Sequence, residues 1–390
     1  MRLLAACSLG GAGHLHPMLA FVEHPRLHDE WLVAGPPALA DMVRETGVAF
    51  WPGEEPPEGE IAPIRDRLAL APADEASVLG NRELFGRMAT TAMLPEMTRL
   101  FEEWRPDFVL RDPCEFASAV LARRTGTHVA QVAISFADVE AGSIRVASPA
   151  LEDHERGLTG ALFESPYLTR FPESLDPSPF PSTVRYRSAA RVTAGALPDW
   201  WHGSDAPLVY ATLGTVLGYM SFAVDVFAAV LEAVRSLDAR VLLTVGRQFD
   251  PARLGPVPAH VHVERWVDQE VVLRTAALVI CHGGSGTVLG ALEAAVPLVV
   301  VPSLADQFEN GRRVTSAGAG QVVSSSSSSS TSSRRPPSVA DAPRIAGAVA
   351  TVLGDAAARA GAARVAAEMR AAPLAIDALA TLLEPTALGG

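Results

Sequence analysis

The stretch from Ala277 to Asn310, A-L-V-I-C-H-G-G-S-G-T-V-L-G-A-L-E-A-A-V-P-L-V-V-V-P-S-L-A-D-Q-F-E-N, constrains the fold more than any other part of the chain. Leu278 to Cys281 predicts a short buried strand and His282 to Gly286 a glycine-rich turn. Thr287 to Ala295 then predicts a helix cut off by Pro297, before a second apolar strand over Leu298 to Val301. A glycine turn that opens a helix leaves backbone N–H groups unpaired at the positive end of the helix dipole, and such a terminus binds phosphate. His282 offers one more donor there, and the hydroxyls of Ser285 and Thr287 two.

The same alternation runs through the rest of the chain. Arg2 to Ser8 is an apolar strand that ends in G-G-A-G-H-L-H-P and feeds a helix from Met18. It fails as a dinucleotide fingerprint, because His16 stands where the third glycine belongs. Strands are expected at Trp31 to Gly35, Val48 to Trp51, Phe108 to Asp112 and His128 to Ala133, with helices over Ala38 to Glu45, Asn81 to Trp104 and Glu115 to Thr125. Pro52 to Ala76, rich in Pro and Glu, reads as a long loop. Patterning fades from Ser135 to Pro181, and a strand near Val184 to Tyr186 closes the first sheet. Arg187 to Asp205 reads as a linker, after which Leu208 to Thr212, Arg240 to Val245 and Val261 to Glu264 supply strands that lead into the central motif. The expected fold class is α/β: two doubly wound parallel-sheet domains, 1–186 and 206–390, joined by 187–205, with ligands at the carboxyl ends of the strands. Ten hydroxyl residues in a row, Ser324 to Ser333, read as a flexible loop, because such a tract buries too little apolar surface to order itself.

A chain of 390 residues suits two domains, and a composition 48% hydrophobic and 19% charged suits globular ones. The net charge of −12, with every basic residue an arginine, argues against a nucleic-acid partner. Cys7, Cys114 and Cys281 each fall in or beside an apolar run and read as buried free thiols of a cytoplasmic protein; only Cys281 and His282 are neighbours, and adjacent residues on a strand point to opposite faces, so no metal is expected. The N-terminus lacks a signal-peptide pattern and no apolar run is long enough to span a membrane.

Around the turn the motif widens. Trp266 and Gln269 stand upstream in R-W-V-D-Q, Glu293 one turn into the helix, and Asp306-Gln307 after the next strand. An aromatic face, an anion turn, a carboxylate and an Asp-Gln pair are the parts that a nucleotide-sugar site needs. The sequence here resembles the donor-binding signature of the family 1 glycosyltransferases, and most of all the bacterial enzymes that glycosylate antibiotics and other natural products. The resemblance covers most of the chain and is strongest from Leu208 to Val323.

The resemblance implies a GT-B fold, an acceptor-binding first domain, a nucleotide-sugar-binding second domain and a last helix that crosses back to the first. It implies a base platform at Trp266 and Gln269, diphosphate contacts from His282, Gly284, Ser285, Gly286 and Thr287, ribose contacts from Glu293, and sugar or diphosphate contacts from Asp306, Gln307, Asn310 and Thr215. Arg247 is a weaker candidate. Gly13-His14-Leu15-His16-Pro17 fits the family's G-H-x-x-P, which makes His14 the catalytic base, although some relatives carry that histidine at the position of Ala12. Asp112 is the first choice for its acidic partner and Asp138 the second, while His16 is structural.

No Asp-x-Asp and no P-loop motif occur, so the expectation is a metal-independent, inverting transferase with no cofactor beyond its nucleoside-diphosphate sugar. It would move a hexose or deoxyhexose from a TDP or UDP donor to a small apolar aglycone, and a homodimer is compatible with it. The rivals are a sugar-nucleotide epimerase of the same fold and a non-catalytic sugar-nucleotide-binding partner protein.

Overall fold

The computed structural model describes residues 1–9, 12–22, 29–189, 195–214, 218, 220, 222–303, 306–323 and 336–384. The chain divides into two compact units, Met1–Ala189 with Ala372–Gly390, and Ala190–Ala371.

In the first unit the described strands are β1 (Arg2–Ala6), β2 (Glu30–Gly35), β3 (Ala49–Pro52), β4 (Phe108–Arg111), β5 (His128–Val132), β6 (Tyr167–Thr169) and β7 (Thr183–Arg185). They form one parallel sheet in the order β3-β2-β1-β4-β5-β6-β7. The central strands are apolar on both faces because both faces are covered. Leu3, Ala5 and Cys7 enter one core, and Leu4 and Ala6 the other. The covering helices are α1 (Ala12–Val22), α2 (Ala40–Thr46), α3 (Glu58–Leu70), α4 (Ala73–Ser77), α5 (Thr90–Glu103), α6 (Ala117–Thr125), α7 (Ala137–His154) and α8 (Leu158–Glu164).

Two expectations are corrected here. Pro52 to Ala76 is not a long loop: α3 and α4 occupy it, each entered from a proline, Pro57 and Pro72. α3 has scarcely any apolar stripe and carries Pro63, so it offers no period to read. A π-helical segment, Val78–Ala89, then joins α4 to α5 without a break. The stretch after Ser135 is likewise regular as far as Glu164, where α7 and α8 occupy it, and irregular from β6 to β7 as expected. The buried face of α7 is made of alanines, Ile144, Leu151 and Glu140, and the small and charged members blur its amphipathic signal.

The second unit repeats the plan with β8 (Leu208–Thr212), β9 (Arg240–Thr244), β10 (Val261–Glu264), β11 (Ala276–Cys281), β12 (Leu298–Val300) and β13 (Gly320–Val322), parallel and ordered β10-β9-β8-β11-β12-β13. Its helices are α9 (Ala223–Val234), α10 (Gln269–Leu273), α11 (Ser285–Glu293), α12 (Gln307–Ser316), α13 (Ala342–Gly354) and α14 (Ala356–Ala371). Much of the expected linker is tied to this unit: Trp201 Nε1 donates to the His260 carbonyl at 3.0 Å and Trp200 stacks on His262. The last helix, α15 (Ala375–Leu383), belongs to the first unit. Its Ala375, Ala378, Leu379 and Leu383 share a core with Leu15, Met18 and Leu19 of α1, and Arg187 clasps the chain before it through Pro373 and Ala375.

Each sheet reverses its strand order once, between β1 and β4 in the first unit and between β8 and β11 in the second. At such a switch point the loops at the carboxyl ends diverge to opposite faces and leave a crevice for ligand.

Candidate active site

His14 and Asp112 in the first unit, and His282 with the turn that follows it in the second, stand at these switch points. In the first unit His14 stands in the first turn of α1, which follows β1, and Asp112 is the residue after β4. His14 Nδ1 lies 3.1 Å from Asp112 Oδ1. The approach is bent rather than in line, so the buried Nδ1 makes no straight hydrogen bond, and Nε2 is left as the nitrogen toward solvent. Asp112 is fully buried, and two backbone donors fix its carboxylate: Ser8 N to Oδ2 at 2.5 Å and Cys114 N to Oδ1 at 2.7 Å. The ring of Phe85, from the π-helical segment, stacks on the imidazole with centroids 6.0 Å apart. A histidine with a carboxylate 3.1 Å from one nitrogen and the other turned toward solvent is arranged for proton transfer. Asp138 is exposed and caps Val139 N, and His16 is exposed as well.

Sequence reasoning missed what anchors this turn. Arg111 is wholly buried at the end of β4, where its Nη1 donates to the carbonyls of Asp112 and Glu115 and its Nη2 to Gln131 Oε1. Gln131 passes the chain on to Glu140. Burial pushes the Glu140 carboxyl up to about 8, while the hydrogen bonds it accepts from Ser135 N, Ile134 N and Gln131 pull it back. The one signal in the sequence was an arginine closing an otherwise apolar strand. Cys114, expected in an apolar run, lies in the turn after β4, half-buried beside the pair.

In the second unit His282 follows β11. Its ring is half-buried against two glycines: a Cβ on Gly214, in the turn after β8, would come within 2.7 Å of Nε2, and one on Gly284 would collide with the same atom. Gly214 also has φ +77, a conformation that favours glycine. Burial pushes the imidazole down to about 4, with Asp306 and the Thr212 carbonyl acting the other way, so the ring is neutral at neutral pH. Gly284 is the N-cap of α11 and supplies no side chain, which leaves the N–H groups of Ser285 and Gly286 unpaired among the described residues. Gly286 is exposed and a Cβ on it would meet nothing, so the space beside the helix start is open.

The start of α12 braces this turn. Asn310 Nδ2 donates to the Gly283 carbonyl at 2.6 Å and lies 3.3 Å from both Ser285 Oγ and Asp306 Oδ2. Gln307 is buried, with its Oε1 accepting from Ser303 N. Gln269 opens α10 after the N-cap Asp268 and lays its amide against Gly290 of α11. Trp266, just past β10, is 52% exposed, with the Arg247 guanidinium 4.6 Å over its ring. Both line an open depression of about 490 Å³. Thr287 is in the first turn of α11. Glu293 is at its other end: the helix starts at Ser285, and at about 1.5 Å per residue Glu293 is two turns on rather than one. Thr215 and the serine tract 324–333 lie outside the described residues.

The chain is similar to known proteins over most of its length. The N-terminal and C-terminal domain models of the erythromycin biosynthesis protein CIII-like family match residues 29–214 and 228–384. L-demethylnoviosyl transferase of Streptomyces niveus is 30% identical over 333 residues, 82% of this chain and 84% of the relative. Elloramycin glycosyltransferase ElmGT of Streptomyces olivaceus is 31% identical over 340 residues, 82% of this chain and 85% of the relative. Spinosyn rhamnosyltransferase SpnG, solved with thymidine diphosphate, aligns over 98% of this chain and 100% of its own at 25% identity and a TM-score of 0.76. The same protein solved with spinosyn aglycone gives 26% and 0.76 over the same shares. With two Rossmann-like parallel sheets, a histidine–aspartate pair on one, a phosphate-type turn on the other and relatives that match over most of the chain, this protein belongs to the family 1 glycosyltransferases of GT-B fold, among the bacterial natural-product glycosyltransferases.

Proposed function

We propose that the enzyme transfers a hexose or deoxyhexose from a thymidine-diphosphate donor to a hydroxyl of an apolar natural-product aglycone, with inversion at the anomeric carbon and no metal or other cofactor. The observation that carries this reading is the pairing of chemistries at the two switch points, a proton acceptor on one sheet and an anion-binding helix terminus on the other. SpnG, bound to thymidine diphosphate in one structure and to its aglycone in another, supports the choice of donor and acceptor class.

In this reading His14 Nε2 takes the acceptor hydroxyl's proton while Asp112 holds the other nitrogen and stabilises the imidazolium that forms. The acceptor oxygen displaces the nucleoside diphosphate in one step, which inverts the anomeric carbon. The departing diphosphate gains negative charge, and the N–H groups of Ser285 and Gly286, the α11 dipole and the neutral His282 ring receive it. Trp266 and Gln269 bound the base, and Asp306, Gln307 and Asn310 hold the sugar or shape the turn. Glu293, at the far end of α11, is assigned no ribose contact.

The test is incubation with TDP- and UDP-sugars and a panel of aromatic and macrolide aglycones, read by mass, with the anomeric configuration of the product taken from NMR. A product that retains the donor's configuration, or turnover of the donor with no aglycone present, would overturn it.

A further inference from the structure

Cys114 gives the His14–Asp112 pair a third neighbour that proton transfer does not use. One ligand atom from each of His14, Asp112 and Cys114 can be chosen so that all lie within 4.8 Å of one another. The 3.1 Å between His14 Nδ1 and Asp112 Oδ1 is close to the separation of two ligands on one tetrahedral ion at about 2.0–2.2 Å. Nδ1 is buried with no well-aligned hydrogen bond, so its lone pair is available in the tautomer that carries the proton on Nε2. The donors to Asp112 from Ser8 N and Cys114 N supply the outer support that orients a ligating carboxylate. Cys114 also lines a small cavity of about 20 Å³ with Cys7, Ser8 and Thr90, room for about one water beside the thiol.

We propose that His14, Asp112 and Cys114 form a binding site for one soft divalent transition-metal ion, Zn²⁺ by its ligand set, and that occupancy switches off proton transfer. A nitrogen, a carboxylate oxygen and a sulfur together suit zinc and disfavour Mg²⁺ and Ca²⁺, which take oxygen ligands. Binding replaces the Cys114 S–H bond by a metal–sulfur bond and releases that proton to solvent. It also occupies Nδ1 and neutralises Asp112, so the imidazole loses the carboxylate that would stabilise its charged form. The inhibitory half rests on the proposed role of His14, whereas the binding half does not.

Co²⁺ is the probe, because thiolate ligation gives a near-ultraviolet charge-transfer band and four-coordination gives strong visible bands. Titration of the chelator-treated full chain should show both at one ion per chain, and Zn²⁺ should bleach them. Cys114→Ser, checked for folding by circular dichroism, should lose the thiolate band, His14→Ala should bind at least tenfold more weakly, and Cys7→Ser and Cys281→Ser should keep the band. Absence of the band in the wild type, or its survival in Cys114→Ser, overturns the site. In the transfer assay Zn²⁺ should inhibit reversibly, with Cys114→Ser at least tenfold less sensitive and affinity for thymidine diphosphate unmoved. A cobalt band without any inhibition would leave the ion site standing and overturn the switch.

Discussion

The ring of His282 fills the space that a side chain at Gly214 would need, so the ends of β8 and β11 interlock through an imidazole and a missing Cβ. Removing the ring or adding a methyl group should damage the same function. His282→Ala should weaken thymidine-diphosphate binding by roughly 1.5–3 kcal/mol, the range for a hydrogen bond to a charged group. Gly214→Ala should weaken it too, because φ +77 strains the new residue and its Cβ pushes Nε2 aside. Calorimetric titration checks both, and unchanged affinity in both would mean that the turn after β11 does not hold the diphosphate.

His14→Ala should lower turnover by roughly 10²- to 10⁴-fold and leave donor affinity near wild type, since the residues proposed to hold the donor are all in the second unit. Asp112→Asn should be milder in turnover, but an amide turns an N–H₂ toward Ser8 N, Cys114 N or His14. It should therefore also cost about 1–3 kcal/mol of stability. In the His14→Ala background its effect on turnover should largely vanish, because the two act as one unit. A nitrophenol acceptor, already acidic, should suffer less than an alkyl alcohol. The assignment of the base fails if His14→Ala turns over an alkyl alcohol at near the wild-type rate.

The depressed pKa of His282 gives a pH signature. The folded ring titrates at about 4 and the unfolded one near the ordinary 6.5, so the unfolded state binds more protons in that window. Stability present above about 6.5 is therefore lost as pH falls toward 4, with a slope of at most about 1.4 kcal/mol per pH unit for one group. Urea unfolding across that range should show the decline, and His282→Asn should shallow it. Equal slopes in the two proteins would remove His282 as the source.

Ala295 should be improvable. Ala295 N donates to the Leu292 carbonyl at 2.9 Å and Val296 N to the Ala291 carbonyl at 2.8 Å, the two bonds of a Schellman cap on α11. Its C′ position sits at φ 59, left-handed and usually glycine. Ala295→Gly should relieve roughly 1–2 kcal/mol of strain, less the extra freedom that glycine has when unfolded, for a net gain of about 0.5–1 kcal/mol. The urea midpoint should rise with an unchanged slope, and a lower midpoint would show that the strain is absorbed elsewhere.

The amino-acid sequence by itself determined the repeating strand–turn–helix plan and the phosphate-type turn after Cys281, because backbone periodicity and glycine conformation are local properties. It also carried His14, since a histidine after a glycine turn at a strand's end is legible in one window. It hid α3, which has scarcely any apolar stripe, and α7, whose stripe is blurred by alanines and Glu140, and it counted Glu293 one turn into a helix in which the residue lies two turns from Ser285. Which acid meets His14 was decided only by the sheet order: β1 and β4 are far apart in the chain but adjacent in space, so Asp112 arrives and Asp138 does not. The same adjacency brings Cys114 beside His14, a neighbour that spacing along the chain does not show. Long-range strand pairing sets such neighbours, and it leaves no local pattern to read.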